Sequence, residues 1–315
     1  MKKLSVFLTL SLVVMIAIAA QADVVVKMKT AANTLGIMNT DGTITEYYRP
    51  DMSTTENTLK ISGSGPMAAV FGNQPDQVTI DIERLDKGVR WDVDVNEKLY
   101  SEMELATMKD EMAGEQGGES EMMSEAGDYD WTTEVTNVDK PQDINGFKCK
   151  GIIATATGVR KDDPQDKTMI KFEYWFSKDI EGYDVLKEFQ KNYADATGMD
   201  IIESQQDIGQ IFGSSEDTFK EMFDAMKNVD GYPIKTVVTV RGSNTAAGDV
   251  RDEKTQKGAD PGMMDMFKGM MGGATGEKSE DGMVTVATVT NEVTSIKIQD
   301  VDQTKYEVPE GFEKQ

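Results

Sequence analysis

The chain has 315 residues, 33 of them lysine or arginine and 56 aspartate or glutamate, for a formal charge of −23. A surface this acidic repels phosphate backbones and anionic head groups, which argues against nucleic acid as a partner. With no histidine and one cysteine, the chain cannot carry a His-based hydrolase site, an HExxH metalloprotease site, His-ligated zinc or haem, an internal disulfide or a CxxC motif.

Met1-Lys2-Lys3 is a basic start, and Leu4 to Ala19 is apolar apart from Ser5, Thr9 and Ser11. Ala20-Gln21-Ala22 then places small residues where a signal peptidase reads them, ahead of Asp23. The pattern predicts a signal peptide over residues 1–22, cleaved after Ala22, and delivery to the periplasm. The apolar run falls short of the ~20 residues of a spanning helix. The lone cysteine, Cys149, lies far from the cleavage site, so no lipid anchor and no stable membrane insertion are expected.

Beyond Asp23 the chain alternates with period 2. Val24, Val26 and Met28 oppose Lys27 and Lys29, and Val78, Ile80 and Ile82 oppose Thr79, Asp81 and Glu83. Asp86-Lys87-Gly88 reads as a hairpin turn, after which Val89, Trp91, Val93 and Val95 alternate with Arg90, Asp92 and Asp94. Further strands are predicted around Phe147–Ile153, Ile170–Phe176, Ile234–Val240 and Val284–Ile298, the last with a parity change after Val286 that suggests a bulge. Strands with one wet face fit an antiparallel sheet packed on one side.

Two helices interrupt the strands. Leu186, Phe189 and Tyr193 share one helical face, as do Phe219, Met222, Phe223 and Met226 behind the capping candidates Ser214 and Ser215. Their position between strands places them in the same domain. The organisation expected is a signal peptide and a single β-rich α+β domain over 23–315, with Met-rich acidic inserts at about 102–130 and 258–282. In the second insert Asp260-Pro261 opens a short helix whose face carries Met263, Met266, Phe267, Met270 and Met271.

Five ordered motifs resemble the domain-of-unknown-function 4412 family of exported bacterial proteins. They are Arg84-Leu85-Asp86-Lys87-Gly88-Val89-Arg90-Trp91 with Lys98-Leu99-Tyr100-Ser101-Glu102, Ile144 to Cys149, Tyr174 to Ile180, Gly231 to Lys235, and Tyr306 to Phe312. The resemblance implies the architecture of periplasmic lipoprotein carriers and anti-sigma regulators. This is a strongly curved antiparallel sheet, an incomplete barrel, with helices covering the concave side. It implies no reaction.

Other candidate sites have plain readings. Asp92 to Asn96 begins like a calcium loop, but Glu97 stands where glycine is required and Met103 where the bidentate carboxylate belongs. Gly63-Ser64-Gly65-Pro66 lacks the lysine of a phosphate loop, and Cys149 shares a strand face with Phe147 as a small buried hydrophobe. No carboxylate pair is singled out as acid and base. Methionine is the unusual signal: there are 21, of which Met1 and Met15 fall in the signal peptide. Thioethers form adaptable apolar surfaces and also suit Cu(I). The expected function is non-enzymatic binding, without a cofactor, of an apolar ligand (lipid or acyl) or an exported protein partner. Met263, Met266, Phe267, Met270 and Met271 are its ligand-binding face. The alternative is a Met-rich periplasmic copper-binding protein.

Overall fold

The computed structural model describes residues 23–64, 68, 75–108, 129–198, 229–243 and 282–315. Six strands follow one another at the start: β1 (Asp23–Thr34), β2 (Met38–Arg49), β3 (Met52–Gly63), β4 (Gln77–Arg84), β5 (Val89–Asp94) and β6 (Leu99–Glu104). Five more complete the body: β7 (Tyr129–Ile144), β8 (Phe147–Arg160), β9 (Lys167–Ser177), β10 (Tyr232–Ser243) and β11 (Met283–Gln299). A short β12 (Glu313–Lys314) ends the chain, and one helix, α1 (Tyr183–Thr197), stands between β9 and β10.

All twelve strands lie in one unclosed sheet of order β12-β6-β5-β4-β3-β2-β1-β11-β10-β9-β8-β7. Two meanders, β1–β6 and β7–β11, are joined where β1 pairs with β11 along its whole length. Every pairing is antiparallel except that of β12 with β6. The sequence-predicted strands are all present. Between β10 and β11 the register steps from Val240–Ala287 to Arg241–Thr285, which leaves Val286 as the extra residue and accounts for the parity change. A second step, between Lys27–Ser295 and Met28–Val293, leaves out Thr294. Such bulges bend and twist the strands that carry them.

β2 and β3 are polar strands rich in Thr, Asn and Glu, so their alternation is weak. Gly42 lies in mid-strand. A Cβ on Gly42 would stand 2.5 Å from the Thr58 carbonyl oxygen and 2.6 Å from Leu59, so only glycine allows the two strands to close at this point. β7 carries Pro141 beside a register shift between Val138 and Gln142, tolerable because β7 is an edge strand. A two-residue turn, Asn145-Gly146, connects it to β8 with both residues at positive φ, the conformation that keeps the twist of flanking strands.

The helix forms where Leu186, Phe189 and Tyr193 were expected to share a face, and all three are buried. Left-handed Gly182 and Gly198 bound it, and the Gly198 N–H donates to the Ala194 carbonyl at 2.9 Å. Leu186 joins Val24, Val26, Ile234 and Val293 in one apolar cluster, while Phe189 and Tyr193 pack with Leu105 and Met108 in another. Each of these fully buried aliphatic side chains contributes about 1.5–3 kcal/mol through removal from water. The second meander has its own cluster, in which the Tyr174 ring stacks between Phe172 and Phe176 at 6.1 and 5.8 Å.

The opposite face of β1–β6 is covered by the C-terminal tail. Val308 and Phe312 pack on Ile82, Trp91 and Val93, and the Thr54 hydroxyl donates to the Lys305 carbonyl at 2.8 Å. Among the described residues a single α-helix lies on the sheet, so a cover of several helices over a concave side is not shown. The helix expected around Phe219–Met226 lies outside the described residues, as does the signal peptide. Of the first Met-rich insert, Glu102–Glu104 complete β6, Leu105 and Met108 are buried, and Tyr129–Asp130 open β7. The second insert lies outside the described residues apart from Gly282.

Candidate functional site

Between α1 and strands β2, β1, β11 and β10 the packing leaves a cavity of ≈ 250 Å³. Ile44, Glu46 and Tyr48 alternate onto the same face of β2, and the register sets Met28 opposite Ile44 and Val26 opposite Glu46. Met28, Ile44, Leu186 and Ile234 supply an apolar wall. Its polar lining consists of Glu46, Tyr48, Tyr232 and Asn291, with Gln190, Lys235 and Thr236.

Glu46 keeps some accessible surface because the cavity reaches it, yet protein surrounds its carboxyl. The Tyr232 hydroxyl donates to Oε2 at 2.8 Å, and the Tyr48 phenol lies beside both. Burial raises the Glu46 pKa; the two phenols pull it back only in part, and nearby Glu83 adds to the rise. Burial, with the adjacent carboxylate, holds both phenols well above their ordinary pKa. They therefore remain donors at neutral pH, and neither is a phenolate nucleophile. Tyr48 is fixed from the other side by an edge-on contact with Phe189 of α1, 5.2 Å between ring centres.

Asn291 reaches the cavity from β11, and its Oδ1 is buried without a hydrogen-bond partner. Lys235 also lines the cavity, but its ammonium is paired with Glu292 at 2.7 Å. Beyond Tyr48 the same face continues through Ser53, Glu83 and Arg90, which are register partners across β3, β4 and β5. Asp81 and Asp92 face each other one row on, and burial together with Asp92 pushes Asp81 up to about 6 in spite of Arg90. Among the described residues no group of three His, Cys, Asp or Glu side chains is arranged to hold a metal ion. No helix among them is long and apolar enough to cross a membrane.

No family model matches this chain, and no curated protein does. Membership of the domain-of-unknown-function 4412 family, implied by the five motifs, is therefore not shown. Two solved structures align over most of their length. A DUF1329 family protein from Desulfovibrio piger has 9% identity and a TM-score of 0.24, over 94% of this chain and 93% of that one. A LolA superfamily protein from Nitrosomonas europaea has 7% identity and a TM-score of 0.23, over 91% of each chain. Likenesses this slight carry no argument about fold or role.

Met263, Met266, Phe267, Met270 and Met271, the ligand-binding face expected from sequence, lie outside the described residues. The calcium-like run is the end of β5 and the start of the turn to β6, where Asp94 Oδ1 accepts from the Glu97 N–H and Asn96 Oδ1 from the Val78 N–H, each at 2.9 Å. Cys149 is fully buried, donates to the Phe147 carbonyl at 3.3 Å, and has its thiol pushed up to about 11 by burial and Asp143. It is a core residue, as read from its strand face. Sequence reasoning missed Glu46, Tyr48, Tyr232 and Asn291. The available signal was period 2 over Ile44, Glu46 and Tyr48, an acid flanked by two apolar positions on one strand face.

Proposed function

We propose that the protein is a non-enzymatic, exported periplasmic binding protein whose cavity under α1 receives a small apolar ligand or the end of one acyl chain. An exported protein partner could present the same group. The observation that carries the reading is the cavity itself, apolar on one wall and polar at Glu46. Its ≈ 250 Å³ is just below the ~300–1,000 Å³ of sites that enclose a drug-sized molecule, so the ligand is small or only partly enclosed. The Met266–Phe267–Met270–Met271 face, with Met263, belongs to this proposal as a second apolar surface for the same ligand, on the strength of its helical spacing. The copper alternative has no support. The sulfurs of Met52 and Met108 accept hydrogen bonds from Arg49 and Gln303 and from Tyr193.

The test is titration of the mature chain with a neutral fluorescent fatty alcohol, alongside Ile44→Trp, which fills the cavity without adding charge. Saturable uptake by the parent and a loss of at least about tenfold in the variant, equivalent to ~1.4 kcal/mol, are expected at unchanged thermal stability. No uptake by the parent would overturn the proposal. Phe267→Glu combined with Met270→Glu should weaken uptake by a similar factor if that face also contacts the ligand, because an unpaired carboxylate would then meet hydrocarbon.

A further inference from the structure

The cavity's polar groups are unequal in kind. The Tyr232 hydroxyl donates to Glu46 at 2.8 Å, and the one ammonium among the described lining residues, Lys235, is held by Glu292. The Gln190 amide and the Thr236 hydroxyl also line the cavity and can either donate or accept, so they favour neither sign of ligand charge. A carboxylate has about four lone-pair sites, of which Tyr232 fills one, and Asn291 Oδ1 is buried with none filled. Glu83 adds negative potential from the neighbouring row. A ligand that brought a carboxylate or phosphate here would meet acceptors and like charge. One that brought N–H donors on a cation would satisfy both and relieve the cost of keeping Glu46 charged away from water.

We propose that the group recognised in this cavity is a protonated aliphatic amine, its ammonium on Glu46 and its hydrocarbon against Met28, Ile44, Leu186 and Ile234. This rests on the cavity being a binding site and adds the identity of the ligand's polar end. It separates the protein from a carrier of fatty acids, whose carboxylate would need a free cation where the structure has Lys235 tied to Glu292 at 2.7 Å. Asn291 then serves as an acceptor for a second donor on the ligand.

The experiment compares three probes of equal chain length, octylamine, octanol and octanoate, by calorimetric titration of the mature chain at neutral pH. Octylamine is expected to bind at least about tenfold more tightly than octanoate, a difference of ~1.4 kcal/mol, with octanol between them. Glu46→Gln preserves the shape of the side chain and should abolish the preference for octylamine over octanol and octanoate. Asn291→Leu offers an independent check, with a smaller loss confined to the amine. Equal affinity for the three probes, or tighter binding of octanoate, would overturn the amine assignment and leave the cavity reading standing. Binding of none of them by the parent chain would overturn both.

Discussion

The two faces of the β1–β6 meander use carboxylates in opposite ways. On the tail-covered face Asp23, Asp86 and Glu307 each meet an arginine. Asp23, almost wholly buried, accepts from Arg49 through both oxygens, from the Tyr306 hydroxyl at 3.0 Å and from the Val301 N–H at 2.8 Å. Arg84 chelates Asp86 at 2.7 and 2.6 Å while also donating to the Tyr306 carbonyl and to Glu307. Asp86 is held below its usual pKa by the Arg84 hydrogen bonds, and Glu307 is as well, because Lys87 and Arg84 outweigh its burial. Under α1 the balance reverses. Glu46, Asp81 and Glu83 are all raised, with burial the largest cause, and Arg90 is the cation that Asp81, Glu83 and Asp92 share. Charge at Asp23, Asp86 and Glu307 is compensated by arginine or lysine, whereas at Glu46, Asp81 and Glu83 it is under-compensated.

The comparison can be broken most sharply at Asp23. Asp23→Ala strands the Arg49 guanidinium and the Tyr306 hydroxyl in the interior, so the mature chain should lose about 3–5 kcal/mol by urea unfolding. A loss no larger than that of an exposed-site control would mean the tail is not latched there. Next in size is Gly42→Ala on the cavity face. The added methyl collides with backbone and with Leu59, and a cost of about 1–3 kcal/mol is expected in the same assay.

Glu46→Gln should instead change stability by less than about 1 kcal/mol at pH ~8, since the amide still accepts a phenol hydrogen bond and sheds an ill-compensated charge. If it were as damaging as Asp23→Ala, the two faces would be equivalent and the contrast would fail. The smallest effect is in pH dependence. Asp81 has a folded pKa of about 6 against an ordinary 3.8, so the folded state takes up its proton first. Its contribution to stability is present below the ordinary value and is lost as pH rises through about 6. Asp86 and Glu307, lowered in the fold, contribute the other way and lose their stabilisation as pH falls below the ordinary carboxylate range. Urea midpoints measured from pH ~7 down to ~4.5 should therefore rise less in Asp81→Asn than in the parent, because the variant lacks the carboxyl that takes up a proton near pH 6. Parallel curves would show that Asp81 titrates normally.

How far the molecule was legible beforehand depended on the range of the interactions. Period 2 over Val24–Met28 or Ile170–Phe176 reports directly which side of a strand is buried, because successive Cβ atoms alternate. The turn at Asp86–Gly88, the bulge at Val286 and the buried face of α1 were readable for the same local reason. β2 and β3 were not. Their Thr, Asn and Glu side chains pair with neighbouring strands and with the tail, so neither face reads as apolar, and β-propensity of this kind follows from neighbours rather than from the backbone.

By itself, then, the sequence determined a β-rich body with one wet face per strand, an amphipathic helix, and the absence of histidine-based and disulfide chemistry. Only the tertiary structure decided that β1 would join β11, that the last sixteen or so residues would cross beneath β1–β6, and that Glu46, Tyr232 and Asn291 would meet at one cavity. Those three residues lie far apart along the chain and come from three strands. What brings them together is the register of a twelve-stranded sheet, and register is set by packing and turn geometry summed over many strands, not by any local pattern.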